Sequence, residues 1–178
     1  ILSPLKLVTA GVHGAQLRRS SGGPISIEAP RVSPIVFGRI LELIAFDSRL
    51  SVEDKGNGVA IHYRNAPEAR APLEERLHGL VADSAQSITL CRGRMVFEIL
   101  PAGANKSSAL SALLALPEFT GRRPVVIGDD EPDEKAFATA NEMGGYGLRV
   151  AGEHFARAAA DFAAPSDVRG WLTELACR

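Results

Sequence analysis

Acidic side chains crowd the positions from Asp129 to Glu134, directly after the apolar run Val125-Val126-Ile127-Gly128. A short β-branched run is typical of a buried parallel strand, and ligand sites in open α/β sheets lie beyond the carboxyl ends of such strands. Mg²⁺ binds carboxylate oxygens and keeps water or phosphate oxygens as its other ligands. The stretch therefore indicates a magnesium site, with an acidic loop that only caps the next helix as the alternative.

Two further charged residues occupy positions that packing and helix formation do not favour. Glu98 lies among apolar residues in Met95-Val96-Phe97-Glu98-Ile99-Leu100, so its carboxylate needs a partner or a function. The structural alternative is a salt bridge to Arg92 or Arg94. Lys106 begins a predicted helix, where the macrodipole disfavours a positive charge. We therefore expect Lys106 to face an anion.

Charged side chains alternate with apolar ones in the hairpin predicted from residues 51 to 64, whose turn is 56–58. Because strand side chains alternate between faces, Val59, Ile61 and Tyr63 should share one face. The other face is expected to carry the polar residues Glu53, Lys55, His62 and Arg64. This face is either open to a ligand or a solvated surface held together by cross-strand ion pairs.

Two glycines flank a histidine in Gly11-Val12-His13-Gly14-Ala15. Glycine permits close approach of the backbone to a neighbour, so His13 and Gly14 are candidates for ligand contact. A tight turn that leads into a hairpin is the alternative.

The order of predicted elements shows how these residues are positioned. A helix beginning at Ser33-Pro34, a hairpin, a second helix and a second hairpin joined at Gly93 follow one another up to residue 100. This order predicts a small α+β layer, with two helices on one face of a sheet. From residue 120 strands and helices alternate, which is typical of a doubly wound α/β core.

The chain is therefore predicted to be an α/β protein that leaves its core for an inserted layer and then returns to it. We place the core at residues 1–25 and 101–178, and the inserted domain at residues 26–100.

Composition narrows the classes of partner. The chain has 178 residues, 46% of them hydrophobic and 23% charged, and its formal net charge of −1 gives no indication of nucleic-acid binding. Cys91 and Cys177 match no metal or redox spacing, and no apolar run reaches membrane-spanning length. We expect a cytoplasmic monomer with no nucleic-acid or membrane partner. Because the chain lacks an initiator Met, we also expect it to be the later part of a longer protein.

Read in order, these residues resemble the trehalose-phosphate phosphatases of the haloacid dehalogenase-like (HAD) superfamily. The resemblance covers essentially the whole chain, and its specificity comes from the order of several short motifs. They are Gly11-Val12-His13-Gly14-Ala15, Glu53-x-Lys55, His62-Tyr63-Arg64-x-Ala66-Pro67, Val96-x-Glu98-Ile99-x-Pro101, Asn105-Lys106, Phe119-x-Gly121-Arg122-x-Pro124-Val125 and Gly128-Asp129-Asp130-x-x-Asp133-Glu134.

The resemblance implies a Rossmann-like HAD core with an inserted α/β cap. The implied activity is Mg²⁺-dependent hydrolysis of trehalose 6-phosphate, a step of trehalose biosynthesis, through an aspartyl-phosphate. Asp129 and Asp130 would bind the metal, Lys106 would neutralise the phosphoryl oxygens, and Asp133 would support the site. The residues expected to contact the sugar phosphate are His13, Gly14, Glu53, Lys55, His62, Arg64 and Glu98.

The chain departs from the family pattern in ways that leave alternatives open. The Asp-x-Asp motif with the nucleophile, and the Ser or Thr that holds phosphate, are expected upstream of Ile1, so these 178 residues alone are expected to be inactive. Pro132 replaces a usual Thr, and Ser107 replaces a usual Gly. The alternatives are a phosphatase for another sugar phosphate, a non-catalytic metal- or sugar-phosphate-binding module, and a receiver-type domain, against which the inserted cap argues.

Overall fold

A computed structural model describes residues 5–177. The chain divides into two compact units, which meet in the sequence between Ala109 and Leu110. No helix within residues 5–177 is long and apolar enough to cross a membrane.

The first unit begins with a small antiparallel sheet, in the order β1 (Thr9–Gly11), β2 (Gln16–Arg18) and β3 (Ser26–Ile27). A single helical turn, Val12–Gly14, joins β1 to β2. The interpretation of residues 11–15 as a tight turn leading into a hairpin is therefore confirmed. The short strand β3 has no distinct signal in the sequence.

A four-stranded antiparallel sheet and two helices form the rest of this unit. The helices are α1 (Pro34–Ile44) and α2 (Arg70–Ala82). The Ser33 hydroxyl accepts a hydrogen bond of 3.3 Å from the Val36 N–H, so α1 begins with the predicted cap. In spatial order the strands are β4 (Ser51–Asp54), β5 (Val59–His62), β7 (Val96–Pro101) and β6 (Ile88–Gly93).

Both helices cover the same face of this sheet, as predicted. Side chains from the helices and from the inward face of the strands form one apolar cluster, which includes Val36, Ile40, Ile61, Leu73, Leu77, Phe97 and Ile99. Burial of this surface removes apolar area from water and is the main source of stability. The strand side chains on the other face therefore lie away from the helices.

The turn between the strands of the second hairpin differs from the prediction. Gly93 is not the turn residue, because it belongs to β6 and pairs with Val96. The two-residue turn is Arg94-Met95, and Met95 adopts a left-handed backbone with φ of 57°. The turn was predicted at Gly93 because glycine is the residue most typical of turns. Here a methionine takes the left-handed position instead.

The second unit has a strand–helix–strand pattern. β8 (Val125–Gly128) and β9 (Tyr146–Arg149) form a parallel pair, and α4 (Asp133–Glu142) connects them. A Cβ atom on Gly147 would lie 2.3 Å from the Phe137 Cβ, so glycine at that position permits α4 to pack closely on β9. Helix α3 (Lys106–Leu114) precedes this pattern, and α5 (Pro165–Ala176) follows it.

Candidate functional site

A row of residues crosses the sheet face opposite α1 and α2. Strand register aligns Glu53 with Ala60, Ala60 with Glu98, and Glu98 with Cys91. Aligned residues of neighbouring strands project to the same side, so the two carboxylates share this face. Ala60 separates them with only a methyl group. The predicted assignment of Glu53 and His62 to the face opposite Ile61 is confirmed by the same register.

The Glu98 carboxylate is buried and ionised, because the His13 imidazole and the Lys55 ammonium of the same unit contact it. His13 Nε2 lies 2.5 Å from Glu98 Oε2, and Lys55 Nζ lies 2.6 Å from Oε1. Only 8% of Glu98 is exposed. Burial alone would raise the pKa of Glu98, but the hydrogen bonds from His13 and Lys55 outweigh it and lower the pKa to about 2. The carboxylate therefore stays charged at every physiological pH.

The alternative salt bridge between Glu98 and Arg92 is wrong. Arg92 aligns with Phe97, so it projects from the face that the helices cover. There its Nε donates a hydrogen bond to Glu74 of α2. Glu98 follows Phe97 directly and projects from the opposite face, because consecutive strand residues alternate.

His13 reaches Glu98 from a turn with an unusual backbone. Val12, His13 and Gly14 have consecutive left-handed φ values of 47°, 52° and 93°. This region is strained for a β-branched residue, and strain of this kind persists only where the surroundings impose it. A Cβ atom on Gly14 would lie 2.7 Å from the Asn105 carbonyl oxygen, so Gly14 packs against the start of α3.

His62 and Arg64 were also predicted to contact the sugar phosphate, and they lie at the end of β5 and in the turn that follows it. His62 Nε2 is 3.1 Å from Glu53 Oε2, and both side chains are substantially exposed. This pair is the cross-strand ion pair of the alternative interpretation. Arg64 lies in the turn after β5, which ends at His62, and is exposed. Within residues 5–177 no side chain forms a hydrogen bond or ion pair with the Arg64 guanidinium.

The start of α3 fixes the backbone of Lys106. Asn105 Oδ1 accepts a hydrogen bond of 2.7 Å from the Ser108 N–H, which makes Asn105 the N-cap. The sequence contains this signal, asparagine directly before the first helical residue, and the prediction for Lys106 did not use it. The Lys106 side chain is half-buried.

The acidic stretch of the second unit is a loop held by one of its own carboxylates. Asp133, 4% exposed, accepts hydrogen bonds of 3.1 Å at Oδ2 from the backbone N–H groups of Asp129 and Asp130. A Cβ atom on Gly128 would lie 2.3 Å from Asp133 Oδ2, so glycine leaves the room into which the Asp133 side chain folds. Asp129 is exposed and Asp130 is half-buried.

The donor atoms of this loop fit Mg²⁺. Within residues 5–177 no group of three or more His, Cys, Asp and Glu side chains is arranged to hold a metal ion. Asp129 and Asp130 offer hard carboxylate oxygens, and Mg²⁺ is often held by one or two carboxylates together with water and phosphate oxygens.

His154 also reaches the acidic stretch, and the sequence analysis missed it. Its Nε2 lies 2.5 Å from Glu134 Oε1, and its ring packs edge-on against Phe155 at 4.5 Å between ring centroids. One carboxylate in the first turn of α4 is therefore paired within the unit. His154 lies 20 residues from Glu134 and belongs to no motif, so no local pattern connects the two.

Comparison with known proteins shows where the chain belongs. The sequence model described as trehalose-phosphatase matches residues 3–165. The chain belongs to the trehalose-phosphatase family. It is 38% identical over 154 residues to a probable trehalose-phosphate phosphatase of Sinorhizobium fredii, covering 84% of this chain and 57% of that protein. It is 32% identical over 176 residues to the trehalose-6-phosphate phosphatase of Escherichia coli, covering 97% of this chain and 64% of that protein. The chain thus spans about 60% of the length of these curated relatives.

Solved structures give the fold of this trehalose-phosphatase family member. The C-terminal domain of Candida albicans trehalose-6-phosphate phosphatase aligns with a TM-score of 0.73 at 19% identity, over 92% of this chain and 68% of that one. A haloacid dehalogenase-like hydrolase from Bacteroides thetaiotaomicron aligns with a TM-score of 0.52 at 18% identity, over 84% of this chain and 68% of that one. The predicted fold class, a HAD-like α/β core with a cap, is confirmed. The boundaries at residues 25 and 101 stay predictions.

Proposed function

We propose that the protein acts as a Mg²⁺-dependent phosphatase that hydrolyses trehalose 6-phosphate to trehalose and phosphate in trehalose biosynthesis. The observation that carries this proposal is the family match over residues 3–165. This range contains the acidic loop at residues 129–134. It also contains the polar sheet face, by which we mean the face of the four-stranded sheet that carries Glu53, His62 and Glu98. Because the chain spans only part of its relatives, the activity is proposed for the whole protein.

The acidic loop would serve the phosphate. In the proposed reaction a carboxylate of the whole protein attacks phosphorus, the sugar oxygen leaves, and water then cleaves the aspartyl-phosphate. Asp129 and Asp130 would hold Mg²⁺, which when bound supplies positive charge against the phosphate oxygens. Asp133 would keep the loop in shape through its hydrogen bonds to the backbone at positions 129 and 130. The Lys106 ammonium would neutralise phosphoryl oxygens.

The sheet face would serve the sugar. Glu98 is ionised, and His13 and Lys55 compensate its charge, so it can accept hydrogen bonds from hydroxyl groups without repelling an anionic substrate strongly. Glu53, His62 and Arg64 would add donors and acceptors at the edge of the face. A disaccharide offers many hydroxyl groups and little apolar surface, which suits such a face. Gly14 would contribute through its backbone.

The remaining proposals concern location and partners. We propose a small sugar phosphate as the only substrate class, with no nucleic-acid or membrane partner, and a monomer as the working form. The proposed location is the cytoplasm, a reducing compartment in which disulfides are rare.

The test is a phosphate-release assay with the full-length product of the gene. The panel should contain trehalose 6-phosphate, glucose 6-phosphate, sucrose 6-phosphate and p-nitrophenyl phosphate, each with Mg²⁺ and with a chelator. We expect Mg²⁺-dependent release, with kcat/KM for trehalose 6-phosphate more than about tenfold above the other sugar phosphates. Absence of release from trehalose 6-phosphate, or equal kcat/KM across the panel, would contradict the proposal.

A further inference from the structure

The turn between β4 and β5 contains Asn57, an asparagine that is only 2% exposed. Both polar atoms of its side chain are bonded: Nδ2 donates to the Ala29 carbonyl oxygen at 2.9 Å, and Oδ1 accepts from Gln16 Nε2 at 2.7 Å. Its own carbonyl oxygen accepts from the Val32 N–H at 3.2 Å. A buried amide bonded at both ends favours one orientation, because exchange of its oxygen and nitrogen would place a donor against a donor and an acceptor against an acceptor.

A second amide side chain, Gln86, binds the segment that connects β3 to α1, to which Asn57 is also bonded. We call this stretch the connecting segment. Gln86 Nε2 donates to the Arg31 carbonyl oxygen at 2.7 Å, and the Ser33 N–H donates to Gln86 Oε1 at 2.8 Å. Asn57 and Gln86 therefore both bind the backbone that leads into α1. Asn57 differs from Gln86 in one respect, because it also bonds to β2 through Gln16.

The hydrogen bond between Gln16 and Asn57 joins the two segments that carry His13 and Lys55, the hydrogen-bond partners of Glu98. Gln16 follows His13 by three positions, and Asn57 follows Lys55 by two positions. The Lys55 N–H donates to the Gly58 carbonyl oxygen at 2.9 Å, which ties Lys55 to the same turn. A Cβ atom on Gly58 would lie 3.6 Å from Val12 Cγ1, so the turn also packs next to the segment of His13.

We propose that Gln16 and Asn57 are positioning residues whose mutual hydrogen bond keeps His13 and Lys55 on either side of the Glu98 carboxylate. Two features of the site require such support. The backbone at Val12 and His13 is left-handed and would relax if the contacts around it loosened. The Lys55 side chain is 34% exposed, so its ammonium can exchange Glu98 for water unless the turn holds it.

The consequence for sugar binding rests on the proposed function, whereas the consequence for Glu98 itself does not. Loss of the bond should weaken the hydrogen bonds from His13 and Lys55 to the carboxylate. Protonation of Glu98 reports these contacts directly, since each of them stabilises the charged form.

The primary experiment follows the Glu98 carboxyl resonance by NMR in the full-length product of the gene, with ¹³C-labelled glutamate. The resonance is assigned by its loss in Glu98→Gln. Between pH 6 and pH 3 the wild-type resonance should hardly titrate, because the pKa of Glu98 is about 2. In Asn57→Ala and in Gln16→Ala we expect the pKa to rise by at least about one unit, a tenfold weaker hold on the charged form.

The matched control is Gln86→Ala. Like Asn57→Ala it removes two side-chain hydrogen bonds, but both of them go to the connecting segment and neither goes to β2. It should lower Tm as Asn57→Ala does and leave the Glu98 titration unchanged. If Asn57→Ala does not fold, the half-buried Gln16→Ala decides, because it removes the same bond from the other side. An unchanged Glu98 titration in Gln16→Ala, or an equal shift in Gln86→Ala, would overturn the proposal.

A kinetic measurement on the same variants connects the positioning role to the substrate. With trehalose 6-phosphate, kcat/KM should fall by about tenfold in Gln16→Ala, mostly through KM, while turnover of p-nitrophenyl phosphate stays within about twofold. If wild-type protein has no activity on trehalose 6-phosphate, the proposed function fails and the NMR result still decides the positioning role. A shifted titration with no change in kcat/KM would refute the connection to the sugar.

Discussion

The polar sheet face and the acidic loop treat their carboxylates differently. On the sheet face, His13 and Lys55 compensate the charge of Glu98 within the chain, at 2.5 and 2.6 Å. In the loop after β8, Asp133 binds the backbone N–H groups of its neighbours, and Asp129 remains exposed. The negative charge of Glu98 is therefore balanced by partners within the first unit. In the loop, by contrast, several carboxylates lie close together in the sequence.

This difference indicates which kind of ligand each region suits. A compensated carboxylate accepts hydrogen bonds but attracts no free cation, so it suits a neutral group such as a sugar hydroxyl. A cluster of carboxylate oxygens on a loop whose backbone is held in place suits a hard cation, because the negative charge of the carboxylates stabilises the bound ion.

The largest effect is expected at the loop. In the full-length protein, Asp129→Asn should reduce turnover of trehalose 6-phosphate by about 10²–10³-fold, because under the proposed function the lost charge would act through Mg²⁺ on the reacting phosphate. Circular dichroism and Tm should stay close to wild type, since Asp129 is exposed. The neighbouring exposed carboxylate provides the control: Glu131→Gln should stay within about twofold. Near-wild-type turnover in Asp129→Asn would contradict the metal assignment.

The next effect concerns the pH dependence of stability. The pKa of Glu98 lies at about 2 in the folded protein, below its ordinary value of 4.5, because the hydrogen bonds from His13 and Lys55 outweigh the effect of burial. Its contribution is therefore fully present above pH 4.5 and is lost as the pH falls toward 2, by on the order of 3 kcal/mol. Urea unfolding of wild type and Glu98→Gln at pH 6 and pH 3 should show a smaller loss of unfolding free energy in the variant.

The control for this pH measurement is Glu28→Gln. The Glu28 carboxyl also has a pKa of about 2, through hydrogen bonds from Arg19 and Ser26, but it is on the surface. Solvent and salt screen such a pair, so Glu28→Gln should change the pH slope far less than Glu98→Gln. Equal pH slopes in wild type and Glu98→Gln would show that the Glu98 pair contributes no stability.

A smaller effect on stability is expected at the loop. Gly128→Ala places a methyl group 2.3 Å from the buried Asp133 carboxylate and should lower the unfolding free energy by about 2 kcal/mol, the typical cost of overpacking. Gly170→Ala is the control, because nothing lies within 4 Å of its position in α5. There alanine should stabilise the helix by roughly 0.5–1 kcal/mol. Equal Tm values for the two variants would show that Asp133 can move away freely.

The smallest effect separates the two regions by substrate. Glu98→Ala should lower kcat/KM for trehalose 6-phosphate by more than about tenfold, equivalent to ~1.4 kcal/mol, because sugar hydroxyl groups lose an acceptor. Turnover of p-nitrophenyl phosphate, which has no sugar, should barely change. Equal losses on both substrates would mean that Glu98 serves the chemistry or the fold.

Local patterns in the sequence were sufficient for most helices and strands, though not for β3, and for the choice of Glu98. The cap at Ser33, the alternation along β5 and the acidic loop after Gly128 each depend on residues a few positions apart, which is the range over which propensity and periodicity operate. The match of motifs to a known family supplied the fold class. The left-handed Met95 shows the limit of this approach, because the backbone conformation there has no residue signal.

The partners of Glu98 could not be predicted in the same way. His13 lies 85 positions and Lys55 lies 43 positions from Glu98. Strand order brings Lys55 near Glu98, whereas His13 comes from the turn between β1 and β2 of a different sheet. The sequence suggested Arg92 or Arg94 because both are near in the chain, but strand alternation places Arg92 on the other face. The pair of His154 and Glu134 was missed for the same reason. Asn105 is a different case, because the sequence contains its N-cap signal for α3 and the prediction for Lys106 did not use it.

The left-handed turn at Val12 also has a consequence for attempts to stabilise this protein. Asparagine and glycine tolerate φ of 47° far better than valine, so screens for thermal resistance should favour Val12→Asn or Val12→Gly. Relief of the unfavourable backbone could increase stability by roughly 1 kcal/mol. The same change would free the imidazole of His13 to sample other directions, since the neighbouring side chain no longer restricts the turn. At this position a gain in heat resistance should therefore come with a loss of precise alignment of His13 toward Glu98.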